Sequence, residues 1–243
     1  MSHFNKQGGP AVAAHEQLNT NMKIKQMVLL AVFAALAFAT MFVLRIKVSF
    51  LTFDAKDAVI TLAAMMFGPW AGALISLVVA LIEMITVSDT GFYGFIMNFL
   101  SSAAFSVVAS AVYRRRHTLN SAIVGLCAAV VSMTAVMILL NIVITPFYMH
   151  APVKTVITMI PTLLLPFNLV KSLLNAGLVM ILYRPVSVAL RRARMLPASA
   201  VPEANHLHMN RRSVLVLVLG LAVVAACVVA FLLLMNGSFE LHK

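Results

Sequence analysis

The sequence predicts an all-α integral membrane protein: a six-helix bundle followed by one additional C-terminal transmembrane helix. Three observations predict it. Of the 243 residues, 62% are hydrophobic and only 10% are charged, against about 25% charged in soluble domains. Mean hydropathy is +1.00, which reflects more apolar surface than one globular core hides. The apolar residues also come in long runs punctuated by short charged loops, the pattern of membrane helices.

The elements follow in order. Residues 1–22 are polar and mixed and read as a disordered cytoplasmic tail. Lys23 and Lys25 precede the first span, 26–44, which is too long for a signal peptide and reads as retained. A loop of mixed charge covers 45–57. The apolar stretch 58–87 is interrupted by Gly68, Pro69 and Gly72. A single helix there would put Arg114, Arg115 and Arg116 outside the cell, against the positive-inside rule. Two helices turning at Gly68 and Pro69 put them in the cytoplasm, and the turn chemistry favours that break. The first of the two is then short for a membrane crossing. Further spans cover 92–113, 122–144 and 156–183, the last with Pro161 and Pro166 near its start. A basic segment, 184–194, closes the six-span membrane domain, 23–194. A linker, 195–212, leads to the seventh span, 213–235, and a tail, 236–243.

The net charge of +11 belongs to this topology. Twelve of the 18 Lys and Arg residues fall on the cytoplasmic side, and Arg45, Lys47, Lys56, Lys154 and Lys243 fall outside. The N-terminus is therefore cytoplasmic, and the localisation expected is a bacterial plasma membrane. No aromatic-rich basic stretch points to nucleic acid. Cys127 and Cys227 lie far apart in apolar runs and read as packing residues, with no disulfide framework or zinc spacing. No P-loop or Gly-rich dinucleotide motif is present, so ATP-driven uptake would need its ATPase on another chain. No cofactor and no enzymatic activity are expected. Asp89-Thr90-Gly91 matches an aspartic-protease triplet, but that chemistry needs two carboxylates sharing a proton, and only one triplet occurs.

Polar residues inside spans mark candidate sites. Lys171 follows Asn168 by three residues on one helix face, with Pro166 loosening the turn before them. A cation, an amide and freed carbonyls suit a polar planar ligand; the competing reading is a lysine paired with Glu83 or an aspartate. Asn141 and Asn98 read as ligand contacts or interhelical hydrogen bonds, and Asn175 is a further amide within a span. Glu83 reads as an interfacial group near water. Ala31 and Ala35 form a small-xxx-small pair, for close approach of a partner helix or for packing within the bundle.

Several segments, taken in order, resemble the S components of energy-coupling-factor (ECF) vitamin transporters, riboflavin-type, over about residues 23–194. They are the Ala-rich first helix, Phe53-Asp54-Ala55-Lys56-Asp57, Phe67-Gly68-Pro69-Trp70-Ala71-Gly72, Met97-Asn98-Phe99, Asn141 with Thr145-Pro146-Phe147-Tyr148, and Leu165-Pro166-Phe167-Asn168-Leu169-Val170-Lys171. The resemblance implies a six-helix fold that captures a vitamin, riboflavin first, at the outer face. It implies partnership with a transmembrane T component and two cytoplasmic ATPases. By the same resemblance Asn141, Asn168 and Lys171 contact the ligand; Asn98 is a further candidate contact. The loop carrying Asp54 and Asp57 covers it, and Ala31 and Ala35 dock the T component. The seventh span is extra to that family. A stand-alone secondary transporter using Glu83 or Asp57 as a proton site is the competing function, although no inverted repeat is evident; so is an assembly factor or sensor using the seventh span.

Overall fold

A computed structural model describes residues 10–43, 46–48, 51–88, 90–193 and 211–236, with the side chains of 10–22, 47–48, 191, 211–213 and 231–236 outside the description. Helix α1 is Pro10–Val43, and β1 (Ile46–Val48) and β2 (Leu51–Phe53) follow it. Next come α2 (Lys56–Phe67), α3 (Pro69–Thr86), α4 (Gly91–Arg114) and α5 (Leu119–Met149). The chain continues through α6 (Val153–Met159), a π-helical turn (Ile160–Leu164), α7 (Leu165–Arg192) and α8 (Arg211–Asn236). Among the described residues, five segments are long and apolar enough to cross a bilayer, namely Lys23–Val43, Pro69–Thr86, Gly91–Arg114, Leu119–Met149 and Val153–Leu190. The chain is a multi-pass, all-helical membrane protein.

The break at Gly68 is present. Its φ of 111° lies in the left-handed region that favours glycine, and a Cβ there would run into the Arg114 guanidinium. Pro69, lacking an N–H, opens α3 at its first turn.

Helix α2 has 12 residues, about 18 Å of rise, and does not cross the bilayer. It has no need to. Its start touches Ser102 in the middle of α4, and its end lies beside Arg114 at the end of α4. The other half of its path is taken by the antiparallel pair β1–β2, in register Ile46↔Phe53. Backbone that is not helical survives at membrane depth only when protein surrounds it, and Leu51, Phe53 and Asp54 are buried. The hairpin packs on Val156, Leu164, Phe167 and Leu174. Three-residue strands are too short to show an alternating pattern, which is why the sequence reads as a plain loop here.

Every residue of α2 from Lys56 to Met66 is buried, so α2 is the centre of the bundle. Phe33, Ala37 and Met41 of α1 pack there with Ile75 and Val79 of α3, Phe105 and Ala109 of α4, Met133 of α5 and Val179 of α7.

Several boundaries differ from the sequence reading. Residues 10–22, expected as tail, extend α1: Pro10 suits a first helical position, and Ala11, Ala13, Ala14, Glu16 and Gln17 are good helix formers. Helix α5 continues through Pro146 to Met149. Near Pro161 the backbone widens into the π turn and does not stop. Cys127 is exposed on α5, so only Cys227 packs inside. Residues 1–9, 194–210 and 237–243 lie outside the described residues, as does Asp89.

A candidate ligand site under the hairpin

The site grows from the start of α2. A helix beginning inside a protein exposes backbone N–H groups that need acceptors. Ala55, in the capping position, supplies no side-chain bond. Asn175 of α7 replaces the cap from across the bundle, its Oδ1 accepting from the Ala58 N–H at 2.8 Å. Its Nδ2 donates to the Asp54 and Lys171 carbonyls at 3.1 and 3.0 Å. Asn175 is thus fully used in holding α2 to α7.

Four charges then alternate along a buried chain. Lys171 Nζ donates to Asp54 Oδ2 at 2.9 Å and to the Thr52 carbonyl of β2 at 3.2 Å. Asp54 Oδ2 is 3.9 Å from Lys56 Nζ, which reaches Glu83 Oε2 at 2.5 Å. Ions this deep persist only when paired and hydrogen-bonded. The expectation that Glu83 sits near water is corrected: it is 4% exposed and paired with Lys56. Lys56, counted above with the outer surface, is 1% exposed. Charged residues ahead of a helix read as loop surface in the sequence; the folding-in of the hairpin carries this one inside.

The fifth ionisable group stands apart. Asp57 Oδ1 accepts from Ser102 Oγ at 2.5 Å, while Asp57 Oδ2 is buried with no hydrogen-bond partner. Asn168 is similar. Its Nδ2 donates to the Leu164 carbonyl at 2.8 Å. Its Oδ1 is buried and unpartnered. Orphaned polar atoms of this kind are uncommon inside proteins and point to a missing partner.

Asn141, fully buried on α5, donates to the Met137 carbonyl at 2.7 Å and accepts from Thr145 Oγ1 at 2.9 Å. A Thr134–Ser172 contact at 3.4 Å registers α5 against α7, and Asn141 and Asn168 both lie on the hairpin side of it. Asn98, half-buried, is one turn of α4 from Ser102 toward the same side. The structure therefore joins Asp54 to Lys171, with Asn168 one turn away on the same helix; Asp57 lies at the start of α2, and Asn141 and Asn98 lie on the neighbouring helices α5 and α4 without direct contact to that pair. Aromatic rings gather at this end, with Phe53 edge-on to Phe167 at 6.1 Å and Tyr93 tilted on Tyr148 at 6.4 Å. Sequence reasoning missed Lys56 and Ser102 as members; only their place in the fold reveals them. Ala31 and Ala35 are exposed on α1, while Phe33, Ala34 and Ala37 face the core.

Comparison with known proteins points the same way. The chain is 29% identical to the riboflavin transporter RibU of Staphylococcus aureus (strain TCH60) over 178 residues, 69% of this chain and 93% of that one. It superposes on a solved structure of the S component of a bacterial ECF transporter with a TM-score of 0.60 and 29% identity, covering 70% of this chain and 99% of that one. The family profile described as ECF transporter, substrate-specific component, matches residues 25–183, and the chain belongs to that family.

Proposed function

We propose that this S component captures riboflavin at the outer face of a bacterial plasma membrane, with its N-terminus in the cytoplasm. The observation that carries the reading is the buried, unpartnered Oδ1 of Asn168, one helical turn from the Lys171 ammonium. An amide oxygen and a cation suit the imide and carbonyl edge of a flavin ring. The kinship with a riboflavin transporter supports the choice of vitamin. On this reading Asn141 and Asn98 line the walls, Asp54 and Asp57 order the hairpin side, and the hairpin covers the ligand.

Release to the cytoplasm is assigned to a reorientation of the whole bundle, driven through a transmembrane T component and two ATPase subunits. The exposed Ala31 and Ala35 give α1 a smooth strip for that partner. No covalent chemistry is involved. Against Glu83 as the proton site of a coupled transporter stands its carboxylate, already engaged by Lys56 at 2.5 Å.

The test is an absorption spectrum of the purified protein followed by a riboflavin titration read by fluorescence quenching. Saturable quenching, lost in Asn168→Ala with folding intact, supports the reading. Absence of quenching in a well-folded sample sends the site to other planar vitamins.

A further inference from the structure

We infer that the arginine-bearing end of the molecule holds an anionic phospholipid, bound in a groove that the seventh helix completes. A cavity of about 970 Å³ opens between the α4–α5 corner and the first turns of α8. Arg115 and Arg116 line it, and none of its lining residues is acidic. Both arginines are exposed, so neither is held in a buried ion pair.

A second set of donors faces the same groove. Thr118 caps α5, and its Oγ1 takes the Ser121 N–H at 3.2 Å while Ser121 Oγ takes the Thr118 N–H at 3.0 Å. The first intrahelical bond comes from Ala122 to the Thr118 carbonyl. That leaves the N–H groups of Leu119 and Asn120, both lining the cavity, for an outside acceptor. Two guanidinium groups and two helix-terminal N–H groups suit a phosphodiester.

The rest of the groove is apolar. Val112 and Val124 form one wall, and Leu215 and Val216 of α8 form the other. Val124 and Leu215 are 59% and 65% exposed, and the apolar surface runs on from them along the membrane-facing sides of α5 and α8. A free inorganic anion has no use for these walls, whereas an acyl chain does. The cytoplasmic leaflet that this end faces by the positive-inside rule is the one rich in anionic lipid. The inference is independent of the vitamin bound at the other end.

The experiment uses the full chain in uncharged detergent, with native mass spectrometry after adding phosphatidylglycerol or phosphatidylcholine. One phosphatidylglycerol should be retained per chain under conditions that strip phosphatidylcholine. Arg115→Gln with Arg116→Gln should weaken retention about 25-fold, or about fivefold per arginine. Leu215→Trp, which fills the groove with both arginines intact, should also displace the lipid. Lys154→Gln, at the opposite end, should leave it unchanged. Equal retention of the two lipids, full retention by the double arginine variant, or displacement by inorganic phosphate at matched concentration would overturn the assignment. Unchanged thermal unfolding of the variants excludes misfolding as the cause of a loss.

Discussion

Lys171 and Asp54 form an ion pair at 2.9 Å with both side chains nearly inaccessible to solvent. Removing either partner alone strands the other, and buried pairs broken this way typically lose about 3–5 kcal/mol. Lys171→Met and Asp54→Asn should each destabilise the protein on that scale, and the double variant should recover part of the loss, as a double-mutant cycle in thermal unfolding reads. Asn168 differs, since its Oδ1 bonds nothing in the protein and its Nδ2 bond closes on its own helix. Asn168→Ala should therefore lower stability by only about 1 kcal/mol while costing about tenfold or more in riboflavin affinity by quenching titration. A larger stability loss than affinity loss would make it a structural amide. The sequence shows the depth and identity of Lys171 and Asn168 plainly, because an ionisable or amide residue in an apolar run stands out. It does not show that Asp54 holds Lys171 or that Glu83 holds Lys56. Those partners lie 117 and 27 residues away, and short-range spacing carries no information over such separations.

At the scale of elements, the Gly68–Pro69 break was legible from turn chemistry and from the charge count together. The shortness of the helix before the break was legible too, but the hairpin and the central position of α2 were not, because neither has a periodicity of its own: α2 is buried on all sides, and the strands have three residues each. Gly68→Ala forces a φ of 111° on a residue with a Cβ and presses it against Arg114. The expected cost is about 1–3 kcal/mol, measurable by thermal unfolding. Between α7 and α8 the approach is close at paired glycines. A Cβ on Gly177 would lie 2.9 Å from Val224 Cγ2, and one on Gly220 would lie 3.2 Å from the Gly177 carbonyl oxygen. Gly220→Ile should push α8 away from α7 and lower the midpoint of thermal unfolding. An unchanged midpoint would mean that α8 is held elsewhere.

For the whole molecule, the proposed function puts two tasks on two surfaces. The buried polar groups gather toward the hairpin end, whereas the exposed face of α1 presents Ala31 and Ala35 beside Val28, Val32 and Leu36. Ala31→Leu with Ala35→Leu should leave riboflavin binding intact and abolish co-purification of the T component and ATPases. Loss of both, or of neither, would count against the division. The membrane class and the orientation-setting charges follow from composition. The central position of α2 follows only from three-dimensional packing.

The hairpin has a kinetic consequence. A two-stranded ribbon of three-residue strands is marginal on its own, whereas every helix around it is closed by its own backbone ladder. Amide hydrogen exchange should therefore report β1 and β2 opening far more often than α2, although both stretches lie side by side. On the function proposed above, the dwell time of a ligand beneath them is set by how long Lys171 keeps hold of Asp54 and of the Thr52 carbonyl, with no helix unwinding for it to leave. Asp54→Asn should shorten that dwell time, read as a faster off-rate in a riboflavin chase, even where equilibrium affinity changes little.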